Sequence, residues 1–441
     1  MKKKKNFITT FFSKSLFLLL LIFLNFNAYA DNKIPIKELQ RFINIIEHVK
    51  KFYIKDIKDN ILFEKAIEGM LSKLDPHSQY MNKRQFSNLK ENSIGKINGL
   101  GIEIIIESNS LVRIIKINKN SVANTVGLKE GDLILSLNNI HIKGLSTDEI
   151  IEIIKKRDRN FLKMKIYREN NKNKSIKYFK IIRKKINIDS VYYNLLNNNI
   201  AYIKIIKFRE NTASQVKKAI THIKNINRSL SGLIIDLRNN PGGLLVSSVK
   251  IANMFLDGKK LKHNKIISYT KSRAKKFNYK EIATNKDLTN NIPIVVIVNS
   301  GSASASEILA GALQDHNRAI IVGTKTFGKG SVQTVLPITN NCGLKLTTSL
   351  FYSPRGRIIQ SAGIIPDILI PYLNIKKDNV IDNNLYVYRE ISLDKYIRTK
   401  KYYNVIKKYD IKLINFDYQL YESCNVLKGL ILYKKKITEK N

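Results

Sequence analysis

The 441-residue chain reads as a multidomain α/β protein, and three observations carry that reading. Between 200 and 370, short β-branched apolar runs alternate with amphipathic helical segments, the pattern of a largely parallel sheet covered by helices. Between 98 and 168, brief strands separated by glycine-bearing turns surround one helix. The flanks, 31–97 and 373–441, carry apolar residues at helical spacing and little strand signal.

Met1 to Ala30 has the form of an export signal. Lys2 to Lys5 precede an apolar run, Leu16 to Leu24, and Ala28-Tyr29-Ala30 offers a small-x-small cleavage site. The run is short for a membrane span of about 20 residues, so cleavage after Ala30 is expected, with the mature chain in the bacterial periplasm or cell envelope. Net charge is +42, five units of it in the leader. The lysines are spread along the whole chain among abundant Ile and Asn rather than gathered in a stripe, so no nucleic-acid partner is expected. Cys342 and Cys424 are too few for a disulfide scaffold and match no metal spacing.

In 31–97, Leu39, Phe42, Ile43, Ile46 and Val49, then Leu62, Ala66, Ile67 and Met70, recur at helical spacing and predict two or three helices. LDPHSQYM (74–81) interrupts them because Pro76 forces a turn. His77 within it reads as a structural turn residue.

In 98–168, NGLGIEIIIE and LVRIIKI read as strands, VGLKEGDLILSLNNI as turn, strand and hairpin, and STDEIIEIIKK as a helix with Asp148 and Glu149 at its positive end. Backbone N–H groups freed by Gly99 and Gly101, in the run Gly99-Leu100-Gly101-Ile102, suit a terminal carboxylate, and a peptide can add as a strand beside Ile102 to Ile106. The face of Ile150, Ile151 and Ile154 is expected to line an apolar pocket. The Lys/Asn-rich 169–177 reads as a linker or an exposed hairpin.

From 200 onward, IAYIKI, GLIIDLR, IVVIV (294–298) and AIIVG (319–323) read as buried strands, and NNPGG (239–243) turns the second into a helix. After IVVIV the chain breaks into small residues, and a helix from 303 to 314 places Ile308, Leu309, Ala312 and Leu313 on one face. Its first turn is crowded with serines, beside unpaired N–H groups and the positive end of the helix dipole, an address suited to a nucleophile. TFGKGS then holds a lysine between Gly328 and Gly330, and a lysine loses its proton readily when buried. Serine-rich helix starts are commonly caps, and Gly-Lys-Gly is commonly a turn; together they pair a nucleophile with a base. His316 cannot serve, since it lies twelve residues beyond Ser304, roughly 18 Å along the same helix. A neutral lysine remains.

GSASASEI, AGALQD, FGKG and the following VQ occur in an order and spacing that resembles the carboxyl-terminal processing proteases, the tail-specific serine protease family. The resemblance implies Ser304 as nucleophile, Lys329 as base, Gln333 as the residue orienting the lysine, and Asp315 in a supporting role. It implies an oxyanion hole from the N–H of Ala305 and that of Gly242 or Gly243. GLGI together with GLKEGDLIL resembles a PDZ domain of the permuted bacterial kind, although RDRNFLK (157–163) departs from its usual Gly-containing turn. The implied organisation is a helical region (31–97), a PDZ β-domain (98–168), an α/β core of the ββα, Clp/crotonase-like type (169–372), and a helical C-terminal extension (373–441) that packs on the core or mediates dimerisation. The function implied is an exported Ser-Lys endopeptidase that recognises a protein's C-terminus and cleaves near it, with no cofactor or metal. Its partners are protein substrates with free, apolar C-termini, and a homodimer or a lipoprotein adaptor is compatible with the organisation. A proteolytically inactive PDZ adaptor or chaperone is the competing reading; retention of serine, lysine, glutamine and glycines together argues against it.

Overall fold

A computed structural model describes residues 35–118, 121–155, 161–170, 173–182, 184–187, 189–227, 229–261, 265–284, 286–338, 341–373 and 417–439; the leader, 1–30, lies outside them. The chain divides into two units, Met1–Leu74 and Asp75–Asn441. The first holds helices α1 (Ile36–Phe52) and α2 (Asp59–Ser72), as the apolar spacing predicts. Of their residues, only Ile46 and Leu71 are buried.

In the second unit, β1 (Gln79–Met81) leads into α3 (Lys83–Ile94), whose start is fixed by a reciprocal box: Asn82 Oδ1 accepts from the Gln85 N–H and Gln85 Oε1 from the Asn82 N–H, each at 3.0 Å. β2 (Lys96–Gly99) then pairs antiparallel with β9 (Lys184–Asn187), a two-stranded stem through which the chain enters and leaves a smaller β-domain. That domain holds β3 (Ile102–Ile106), β4 (Val112–Ile117), the one-turn α4 (Val122–Thr125), β5 (Leu133–Leu137), β6 (Ile140–His141), α5 (Thr147–Lys155), β7 (Phe161–Asn170) and β8 (Asn173–Ile182). Its sheet runs β3-β4-β5-β7-β8, with β3 at one edge. Of the two readings of 169–177, the hairpin is the right one and the linker is not: β7 and β8 pair over ten residues each, so the sheet continues past 168 to Ile182. Ile150 departs from its expected place too, being fully buried in the core with Leu100, Ile114 and Leu137, while Ile151 is exposed. The reason is packing: the helix turns its most apolar face to the sheet.

The larger domain comprises β10 (Val191–Leu196), β11 (Ile200–Ile205), α6 (Thr212–Ile226), β12 (Gly232–Asp236), α7 (Leu245–Phe255), β13 (Ile266–Lys271), β14 (Lys280–Ile282), β15 (Ile294–Val298), α8 (Ala305–Asp315), β16 (Ile320–Gly323), β17 (Ser331–Pro337), β18 (Gly343–Tyr352), β19 (Ile368–Leu369) and α9 (Tyr418–Thr438). Its main sheet runs β10-β11-β12-β15-β16-β19 and is parallel from β11 to β19. Every residue of β11, β12 and β15 is buried, which is why these strands read as unbroken apolar runs. One face of the sheet (Ile203, Ile235, Val296, Ile321) packs on α6, α7 and α8. The other (Tyr202, Ile234, Val295, Ile297) packs on Leu420, Cys424 and Leu427 of α9, so the extension supplies a layer of the core. β17 and β18 form a second sheet with β1, β13 and β14. The pairing of β1 with β18, Gln79 opposite Lys345, carries the LDPHS turn onto the larger domain.

Candidate active site

Two βα turns at the carboxyl end of the parallel strands, NNPGG after β12 and NSGSAS after β15, are rich in small residues, and they interlock. Asn239 and Asn299 exchange hydrogen bonds: the Asn239 N–H donates to Asn299 Oδ1 and Asn299 Nδ2 to Asn239 Oδ1, both 2.9 Å. Asn240 Oδ1 accepts from the Gly242 N–H at 2.9 Å, and the Asn240 carbonyl accepts from the Ala303 N–H at 3.0 Å. The NNPGG turn is thereby fastened against the serine turn. A Cβ on Gly242 would lie 2.6 Å from the Ala303 oxygen and 2.9 Å from Ser304 Cβ, an approach only glycine permits.

The three serines differ in what holds them. Ser302 Oγ donates to the Leu237 carbonyl (2.8 Å) and Ser306 Oγ to the Asn240 carbonyl (2.9 Å), and both residues are fully buried. Among the described residues Ser304 donates its hydroxyl to no carbonyl; it is partly exposed and sits at the N-terminus of α8 with φ 54 and ψ −111. That conformation is costly for a residue with a Cβ and persists because the flanking bonds dictate it. Ala305 is the first helical residue, so its N–H is one of those a helix leaves unpaired. Of the two candidate glycines, Gly242 has its N–H committed to Asn240, whereas that of Gly243 makes no hydrogen bond among the described residues.

Glu307 ties the nucleophile turn to the lysine loop. This fully buried carboxylate accepts through Oε2 from the N–H of Ser304 (2.7 Å) and of Lys329 (2.9 Å), and through Oε1 from the Gly328 N–H (2.7 Å) and Thr326 Oγ1 (2.6 Å). Ser304 and Lys329 thus share one acceptor atom. The loop is backed from outside by Gln360 Oε1, which accepts from the Gly330 N–H at 2.9 Å.

Lys329 Nζ donates to Gln333 Oε1 at 2.6 Å, and no hydrogen bond joins it to Ser304 Oγ in this structure. Burial lowers the Lys329 pKa from its ordinary value and the nearby Lys345 ammonium adds to this, against the pull of Asp75 and Glu307. Gln333 Nε2 donates to Thr347 Oγ1 (3.2 Å), which donates to Asp75 Oδ1 (3.0 Å). Burial alone would raise the Asp75 carboxyl, but hydrogen bonds from Ser78, His77 and Thr347 outweigh it and hold it at about 2. His77 is a turn residue, its N–H donating to Asp75 Oδ1 at 2.8 Å. Burial and the Lys329 charge lower its pKa, so the turn lies within electrostatic reach of the lysine.

Asp315 is placed elsewhere than beside the chemistry. It ends α8, roughly 16 Å along the axis from Ser304, and accepts from the Arg355 N–H (2.9 Å) and the Arg357 guanidinium. It fixes the Pro354-Arg355-Gly356 turn, whose continuation reaches Gln360 behind the lysine loop. In the smaller domain, Leu100 is a core residue whose carbonyl accepts from the Ala123 N–H (3.1 Å), Gly101 has φ 78, and Ile102 opens the edge strand β3 just after Gly99 ends β2.

A model of peptidase family S41 matches residues 199–370, one of the activating protease CtpB N-terminal domain matches 25–85, and one of the PDZ domain matches 90–166. The carboxy-terminal-processing protease of Bartonella bacilliformis is 39% identical over 337 residues, 76% of this chain and 75% of that one. The chain belongs to peptidase family S41. A probable CtpA-like serine protease of Staphylococcus aureus is 33% identical over 366 residues, covering 82% of this S41 chain and 71% of its own. Among solved structures, the photosystem II D1 C-terminal processing protease superposes with a TM-score of 0.45 at 24% identity, over 76% of this chain and 88% of that one. The S41 chain is a serine-type, C-terminal processing protease with a PDZ domain. Glu307, Asp75 and Thr347 are the residues of its site that sequence reasoning did not single out. Ser304-x-x-Glu307 has capping-box spacing, a local signal for the first; the other two carry no such signal, since β1–β18 pairing brings them together.

Proposed function

We propose that this protease uses Ser304 as nucleophile and Lys329 as general base, and selects substrates by a free C-terminus bound in the PDZ domain. The observation that carries the reading is the contrast among the serines: Ser302 and Ser306 are tied to carbonyls, while Ser304 is uncommitted as a donor and shares the Glu307 oxygen with the lysine. Ser304 Oγ attacks the scissile carbonyl. Lys329, neutral when it acts, takes the hydroxyl proton and returns it to the leaving amine. Gln333 holds the ammonium in the resting geometry, and catalysis requires Nζ to turn from Gln333 toward Ser304, a tightening common to sites seen without substrate. The N–H groups of Ala305 and Gly243 receive the developing oxyanion.

The edge strand β3 and the Gly99–Ile102 turn support recognition of an extended C-terminal peptide by strand addition. Export and action on envelope proteins rest on the Met1–Ala30 leader. Self-association is supported by apolar exposure on α1, where Ile36 and Ile45 are 71% and 56% exposed; a lipoprotein adaptor is compatible with this organisation. The test is incubation of wild type and Ser304→Ala with envelope extract, reading new C-termini by mass spectrometry. New termini with wild type alone support the reading, and equal cleavage by both removes it.

A further inference from the structure

The S41 match ends at residue 370, yet the described segment from Asp417 onward reaches back into the turn that faces Ser304. Asp417 caps α9, its Oδ1 accepting from the Leu420 N–H at 3.0 Å. The same carboxylate takes two bonds from Arg238, Nη1 to Oδ1 at 2.7 Å and Nη2 to Oδ2 at 2.8 Å. Arg238 is itself buried, and its other edge is held by Asp236, through Nε at 3.0 Å and Nη2 at 2.6 Å. Asp236 also accepts from the Arg238 N–H (2.9 Å) and from Tyr202 Oη (2.8 Å). The residue after this clamped arginine is Asn239, held in the left-handed region at φ 59, and four residues further is Gly243.

A guanidinium bound on two edges by two carboxylates is fixed in plane and position in a way that one carboxylate cannot achieve. Between Arg238 and Gly243 the turn is held further by Asn239 on Asn299, by Asn240 Nδ2 on the Ile205 carbonyl (2.8 Å), by the Asn240 carbonyl on the Ala303 N–H (3.0 Å), and by the Gly242 carbonyl on the Phe208 N–H (2.9 Å). With the middle and far end of the turn fastened in this way, the clamp on Arg238 fixes the place and direction from which the turn starts. We propose that Asp417, a residue outside the S41 match, is a positioning residue for the reaction: through Arg238 it sets the orientation of the turn that presents the Gly243 N–H to the oxyanion. This rests on the assignment of that turn as half of the oxyanion hole. The consequence is that the Asp417–Arg238 contact at the start of the C-terminal helix, and not the packing of that helix, tunes transition-state binding.

The experiment compares full-length wild type, Asp417→Asn, Asp417→Glu and Leu427→Ala. Leu427→Ala loosens α9 by packing, at a fully buried side chain remote from the ion pairs. For each, kcat and KM are measured on one protein substrate with a free apolar C-terminus, together with affinity for a peptide boronate, which mimics the tetrahedral oxyanion, and the thermal midpoint. Asp417→Asn is expected to lower kcat and boronate affinity together by about tenfold, short of the hundredfold or more for losing an oxyanion donor outright, with KM unchanged and Asp417→Glu recovering part of the loss. Leu427→Ala is expected to lower the thermal midpoint and leave both parameters within about twofold of wild type. The proposal is overturned if Asp417→Asn keeps wild-type kcat, or if kcat in both variants falls only in step with the unfolded fraction. It is equally overturned if Asp417→Asn loses kcat with boronate affinity unchanged. Failure of the parent reading shows differently, as full activity in Ser304→Ala.

Discussion

A hydroxyl is available for attack only when nothing else holds its proton, and that condition separates Ser304 from neighbours of identical chemistry two residues to either side. Ser304→Ala should lower peptide cleavage about 10³-fold or more while leaving the unfolding midpoint nearly unchanged, because the residue donates no hydrogen bond from its side chain. Lys329→Arg keeps a positive charge that cannot be given up and should cleave at under about a hundredth of the wild-type rate, as Lys329→Ala should. A rate above that would make the lysine an electrostatic aid. The pH profile carries the same argument: burial favours the neutral amine, so activity should rise with pH and reach half its plateau below the ordinary 10.5. A midpoint at or above 10.5 would exclude Lys329 as the base. Glu307→Gln keeps the shape but replaces one acceptor oxygen with an amide that meets N–H or O–H donors head-on. It should cost about 2 to 3 kcal/mol in urea unfolding and abolish labelling of Ser304 by a fluorophosphonate.

Turns and strands gain their function from what they are fastened to. The LDPHS turn is an example, since β1 docks it on β18 and Asp75 then closes the chain Lys329-Gln333-Thr347-Asp75. The Asp75 carboxyl lies at about 2 in the fold against 3.8 ordinarily. Its stabilisation is therefore complete above about pH 4 and is lost as pH falls through 2. For the edge strand β3, amidating a substrate's C-terminus should weaken binding and slow cleavage, while trimming its N-terminus should not; equal cleavage of free and amidated peptides would remove the PDZ domain from selection. Helix α9 leaves a mark on the sheet beneath it. A Cβ on Gly232 would stand 2.9 Å from Leu427 Cδ2, so Gly232→Ala should destabilise by about 1 to 3 kcal/mol, and adding Leu427→Ala should make the glycine change nearly neutral.

Across the full chain, the two units ask for different tests. Helices α1 and α2 expose Ile36, Ile45, Phe52 and Met70, more apolar surface than two helices ordinarily leave to water. If a second copy covers them, sedimentation should report twice the mass of one chain, and Phe42→Glu with Ile45→Glu should reduce it to one. A single-chain mass for the unmutated protein would end that reading. The parallel sheet needs no such partner, because α6 to α8 cover one face and α9 the other.

Strand runs such as IVVIV, the serine-bearing helix start, and the Gly-bounded lysine were all legible in the sequence, because periodicity and spacing are local properties of the chain. Motif order pointed to Ser304, Lys329 and Gln333, and the hydrogen bond between the last two spans four residues where the lysine loop runs into β17. Other features depend on partners far along the chain. Which serine keeps its proton free was decided by carbonyls of Leu237 and Asn240, more than sixty residues away. The partners of Asp315 and of the LDPHS turn depend on distance in the same way: Asp315 supports the Arg355 turn from the far end of α8, and β1 carries Asp75 to Thr347. Of the two readings of the tail, packing on the core is the one the structure bears out, and the surface it covers, Ile234, Val295 and Ile297, sits in strands already buried on their other side. A strand covered on both faces looks the same in sequence whichever helix covers it, so only the tertiary structure could assign α9 to the sheet and Asp417 to Arg238.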